Sequence, residues 1–244
     1  MRLPGLAGHA VNLLRSWRFG ILLVAAVALG ATAVIRGVWR NGDSAPAAEP
    51  RLLVVDGIEI TLADVEPYVR FLDSFLPEGG HKTKVQRVLD EYILPLRFAQ
   101  RAFPAQRHEQ FVHAQALCSV ATNTDELEER SKLIQDRKHS NLTRLHAQLP
   151  VAVFLFDPLL HRSVSPPIEV PTGWFVAGCV EMHESALAVD DYCEALQVGF
   201  VTHTAGEWHT WLLSEQTRVA DRVTFVHPDY REAMPAWLKL PKLP

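Results

Sequence analysis

Residues 163–177 read SVSPPIEVPTGWFVA. The adjacent prolines keep the first half extended, because each ring locks φ, removes a backbone donor and disfavours helix in the residue before it. Ile168 and Val170 then alternate with polar positions, Pro171-Thr172-Gly173 has the composition of a tight turn, and Trp174 and Phe175 lead into a small apolar strand. Together with VAVFLF at 151–156 and Pro158, the stretch predicts a short β-containing unit over residues 150–183. Working outward, residues 186–220 read as a return to helix, with Tyr192, Ala195 and Leu196 on one side and a turn between Gly199 and Gly206. A second helix follows around Trp208, Trp211, Leu212 and Val219. Residues 231–244 are a proline-broken tail.

Upstream, LLVVDGIEI at 52–60 predicts two β-stretches about an Asp56-Gly57 turn, a dipeptide that accepts the positive φ angles of a tight hairpin. Thr61 with Asp64 three residues on forms a capping signal, and Ile60 stands where it can staple to Val65. Leu62, Val65, Val69, Leu72 and Leu76 then fall on one helical face, with Pro67 early enough to bend the helix without ending it. Residues 82–103 repeat the pattern with Val85, Leu89, Tyr92, Leu96, Ala99 and Phe103 inward. The glycine-free stretch 105–149 predicts more helix, broken near ATNTDE, where Thr122 or Thr124 caps a new start.

The chain has 244 residues, 48% hydrophobic and 21% charged, with a formal charge of -4. That is enough for an ordinary core and shows no basic field of the kind that binds nucleic acid. The uncharged run FGILLVAAVALGATAVI at 19–35, fenced by Arg15, Arg18, Arg36 and Arg40, reaches the lower edge of a membrane-spanning length and reads as a retained anchor rather than a cleaved signal peptide. The expected organisation is therefore a cytoplasmic start at 1–18, an anchor at 19–38, a linker at 39–50, a helical domain at 51–149 and the β-containing unit. C-terminal helices at 184–230 pack back on the helical domain. Cys118, Cys179 and Cys193 are too few for a disulfide framework; Cys179 and Cys193 either pair or stay as small buried thiols.

The arrangement resembles the SurA-like and PrsA-like periplasmic foldases. Their N-terminal helical domain opens with a V-x-G-x-x-I-T hairpin, matched by Val55, Gly57, Ile60 and Thr61, and a later helix carries the face met here by Leu89, Asp90, Ile93 and Ala99. Ser165, Pro167, Gly173 and Trp174 resemble the end of the parvulin-type peptidyl-prolyl isomerase domain that follows in that family. Phe175 stands where the family has the second of its active-site histidines, and neither the A-x-H-I-L strand nor the G-G-x-L-G loop is present. The resemblance implies a mainly α fold made of an N-terminal transmembrane helix, a SurA-like helical domain and a small parvulin remnant. It implies a single-pass protein of the bacterial inner membrane, with most of the chain periplasmic and the membrane contacted through residues 19–38. The expected function is a chaperone or foldase that binds unfolded or partly folded exported proteins without catalysing isomerisation. A divergent but active isomerase and a structural accessory of an envelope or secretion assembly are the alternatives.

The aromatic residues Tyr68, Phe71, Phe75, Tyr92 and Phe98 exceed what a single inward stripe uses. They are either core or, as the resemblance implies, the lining of a client-binding cradle. His203, Glu207 and His209 follow no metal-site spacing, so no metal is expected, and no nucleotide, hydrolase or redox motif calls for a cofactor.

Overall fold

The computed structural model describes residues 50–160 and 163–242. Its first element is the expected hairpin, β1 (Arg51–Val55) and β2 (Ile58–Thr61), turning through Asp56 at φ 49° and Gly57 at φ 77°. Positive φ at both central residues matches the right-handed twist of the flanking strands. Thr61 then caps α1 (Leu62–Asp73): its hydroxyl accepts from the Asp64 amide while the Asp64 carboxylate takes the Thr61 amide.

α2 (His81–Val88) and α3 (Leu94–Ala102) are joined by a π-helical turn at Leu89–Ile93, in which the Leu94 amide donates to the Leu89 carbonyl. Pro95 supplies the cause, since it has no amide to give and its ring displaces the carbonyl one turn back; a wider turn absorbs both. α4 (Pro104–Cys118) follows, then α5 (Thr124–Ser131), which Asn123 caps through the Glu126 amide. Beyond these come β3 (Arg137–Thr143), α6 (Leu149–Leu155), β4 (Ile168–Val170), β5 (Gly173–His183) and β6 (Tyr192–Val201). α7 (Ala205–Val219) and β7 (Val223–Val226) complete the order, with a last 3₁₀ turn at Pro228–Ala233.

The mainly α expectation is thereby corrected: the described fold is mixed α/β with two antiparallel sheets, ordered β2-β1-β7 and β3-β6-β5-β4. The strands of the proline-rich stretch belong to a four-stranded sheet that also takes in residues 137–143 and 192–201, both expected to be helical. β6 is buried on both faces, Cys193 and Ala195 toward one and Leu196 and Val198 toward the other, so it carries no alternation to read. β3 lies at a sheet edge and bears Arg137, Lys138 and His139, charges that protect an edge while making it look like a solvated helix. VAVFLF, in turn, is helical, entered through Pro150 in its first turn.

One face of the four-stranded sheet packs on α4 and α5 through Ala114, Leu117, Leu127, Val176, Leu196 and Val198. The other packs on α6 through Val151, Ala152, Leu155, Ala177, Cys179 and Cys193. The larger core lies under the hairpin and α1–α3, and chain from the far end completes it: Val219, Val223, Met234 and Leu238 are buried there.

Among the described residues no helix is long and apolar enough to cross a membrane. The placement as a single-pass inner-membrane protein is contradicted on that finding and is withdrawn. Residues 19–38, where the anchor was expected, lie outside the described residues, as does the cytoplasmic start.

Candidate functional site

The Pro171-Thr172-Gly173 turn is held from three sides. Beneath it lies Arg107 of α4, only 4% exposed, whose guanidinium donates to the carbonyls of Pro171 (2.9 Å) and Val170 (2.9 Å) and to the Glu169 carboxylate (3.0 Å). Thr202 donates through both its amide (3.0 Å) and its hydroxyl (3.1 Å) to the Thr172 carbonyl. Gly173 sits at φ 155° against the Phe200 carbonyl, where a Cβ would clash with backbone. The preceding SVSP segment is fixed as firmly: buried Ser165 exchanges hydrogen bonds with Ala177, its amide donating to the carbonyl (2.8 Å) and its hydroxyl accepting from the amide (2.9 Å).

A cleft opens on each side of this ridge, and Thr172 and Gln148 line both. The larger, 730 Å³, has Phe175 and Gly199 in its wall, Asp136 and Lys138 from the start of β3, and His203 and Thr204 from the entry to α7. Phe175 lies over Gly199 so closely that a Cβ there would stand 3.1 Å from its ring, so the missing side chain makes room for the aromatic one. The smaller, 400 Å³, is walled by Tyr92, Pro95, Leu149, Trp208 and Leu212. An aromatic chain joins the helical ends beside them: Phe103 meets His203 at 4.6 Å and Trp211 at 4.7 Å between centroids, and Trp211 meets Trp208 at 4.9 Å.

Two of the polar groups lining these clefts, Tyr92 and Glu207, are committed to other partners. Tyr92 receives the Tyr68 hydroxyl (3.2 Å) and donates to the Glu169 carbonyl (3.3 Å). Burial raises both phenols above their ordinary range, so neither gives up its proton near neutrality. Glu207 is held by the Thr204 hydroxyl and amide (2.8 and 3.0 Å), which lower its pKa and commit it to capping α7. Phe175 puts a hydrocarbon where the resemblance implies a histidine. His203, Glu207 and His209 do not come together as ligands, and among the described residues no group of three or more His, Cys, Asp or Glu side chains is arranged to hold a metal.

The five aromatic residues expected to bind client divide by burial. Phe98 is fully buried and offers no surface; Phe75 is buried at 5% and packs edge-on to half-buried Phe71 at 5.2 Å. Tyr68 is half-buried against Tyr92, and of the five only Tyr92 lines either of the two clefts. Phe75 instead edges a separate 480 Å³ cleft with Leu76 and Leu187. Trp208 and Leu212, which the sequence places only on a helix, and Gln148, which no motif marks, are among the lining residues. The available signal was a pair of tryptophans three apart just after a Thr-x-x-Glu cap, more aromatic surface than a solvated helix needs.

No family model, curated protein or solved structure matches the chain.

Proposed function

We propose that this protein binds extended segments of unfolded or partly folded polypeptides in the two clefts flanking the Pro171–Gly173 turn, as a chaperone- or foldase-like protein without prolyl isomerase activity. The observation that carries the reading is that the two clefts share Thr172 and Gln148 in their walls, with Tyr92, Trp208 and Leu212 in one and Phe175 and Val201 in the other. Extended and proline-rich chain docks well in such aromatic-lined grooves, because it brings little conformational entropy to lose. The expectation of no isomerase activity rests on Phe175, a hydrocarbon where the resemblance implies a histidine to help stabilise a twisted prolyl amide.

The test uses the full-length chain in two assays. It should slow the aggregation of a chemically unfolded client, and Trp208→Ala should weaken that activity by about tenfold, the effect of removing a central aromatic anchor. In a protease-coupled assay on an X-Pro peptide the protein should leave the spontaneous rate unchanged. Holding activity unaffected by Trp208→Ala overturns the assignment to this groove, and reproducible acceleration of isomerisation overturns the non-enzymatic reading.

A further inference from the structure

Cys179 on β5 and Cys193 on β6 are both buried, at 4% and 0%, and the Cys193 thiol donates to the Cys179 sulfur at 2.8 Å. Their closeness is built into the strand register. Cys179 is opposite Ala195 and Cys193 opposite Met182, with a bulge between Cys179 and Glu181 that shifts the ladder. Both side chains point to the face covered by α6, among Ala147, Val151, Ala152 and Leu155. The third cysteine is on the other side of the sheet: Cys118 packs beside Leu127 and Val176, and its thiol donates to the Ser165 carbonyl at 3.2 Å. Geometry therefore selects one pair out of three possible.

We propose that Cys179 and Cys193 are a disulfide-forming pair that is oxidised by a small-molecule disulfide of the glutathione class. The sulfurs stand 2.8 Å apart, and bonding brings them to about 2.05 Å. As the chain folds, one of the two thiolates attacks one sulfur of the oxidant, forming a mixed disulfide and expelling one glutathione thiolate. The other thiolate, brought alongside by the strand register, then attacks that cysteine's sulfur and expels the second. Two cysteine thiols are oxidised by two electrons, one glutathione disulfide is reduced to two glutathione molecules, and the two cysteine protons end on them. Cys118, on the opposite face of the sheet, is out of reach of Cys179 and Cys193 once the fold forms. The bridge closes the β5–β6 connection, which carries the residues facing Phe75 and Leu76 across the 480 Å³ cleft.

Because both thiols are buried, the test oxidises the chain while it folds. The full-length protein is unfolded in reducing denaturant, refolded by dilution into a mixture of oxidised and reduced glutathione, quenched in acid and alkylated after unfolding. One alkylated cysteine, Cys118, and a proteolytic peptide joining Cys179 to Cys193 are expected. The Cys118→Ser variant should leave no alkylated thiol. The apparent melting temperature should rise by about 6–12 °C over the reduced protein, and Cys193→Ala should abolish the rise. Three alkylated thiols in protein with the native circular-dichroism spectrum overturn the proposal. So do a bridge containing Cys118 and a stable glutathione adduct on Cys179.

Discussion

Arg107 is the residue on which the ridge between the clefts depends. An arginine at 4% exposure is tolerable because the carbonyls of Val170, Pro171 and Gly173 and the Glu169 carboxylate face its guanidinium. Arg107→Met keeps most of the volume but strips the Val170 and Pro171 carbonyls of their donors and leaves Glu169 without its cation. A loss of about 3 kcal/mol in urea denaturation is expected, with a loosened groove as its functional trace. In the sequence Arg107 is one of two charged residues on α4, beside Glu109; its role exists only because α4 crosses under the turn. Gly173 and Gly199 are small for two different reasons, one a backbone angle and a backbone neighbour, the other a ring that needs the space.

At the scale of elements, the locally specified pieces are those whose signals lie within one turn. The Thr61–Asp64 box is present as the sequence predicts, and Thr204–Glu207 repeats it at the head of α7, the helix carrying Trp208 and Leu212 into the cleft. Thr204→Ala should lower stability by about 1 kcal/mol, read as a shift in the denaturation midpoint. Client holding should fall with it, because the first turn of α7 presents Trp208. The π turn before Pro95 is a similar local necessity: a proline inside a 22-residue helical run from His81 to Ala102 forces a change in hydrogen bonding, and Pro95 then lines the smaller cleft.

Across the whole molecule, β7 pairs with β1 and places the two ends of the described chain in one sheet, Leu53 opposite Val226. Asp56, in the hairpin turn, reinforces that closure: Arg218 of α7 (2.7 Å), Arg101 of α3 (2.8 Å) and Arg222 before β7 (3.1 Å) converge on its carboxylate. The Arg218 hydrogen bond, stronger than the opposing desolvation and helped by Arg222 and Arg101, lowers its pKa from 3.8 to about 2. A carboxyl with a depressed folded pKa contributes stability that is complete above its unfolded pKa and disappears as pH falls through the folded one. The urea midpoint should therefore drop between about pH 4 and pH 2. Asp56→Asn, which keeps a residue tolerant of positive φ, should flatten that part of the profile while starting from a lower midpoint at neutral pH. An equally steep acid limb in the variant would assign the loss to other carboxylates.

The sequence by itself determined the hairpin at 51–61, the capped helix after it, the helical runs of α2–α4 and the turn at 171–173. Each is encoded by residues no more than a few positions apart: a dipeptide that accepts positive φ, a side chain that caps its own helix, a repeat of three and four. Only the tertiary structure decided that 137–143 and 192–201 are strands and 151–155 helix. A strand covered on both faces loses its alternation, a charged edge strand resembles a solvated helix, and a short apolar run fits either form. The groove was hidden for the same reason. Its walls come from the π turn and α3, the head of α6, the start of β3, the end of β6, the 171–175 segment and α7, and no sequence pattern records that Tyr92, Phe175 and Trp208 face the two clefts beside one turn.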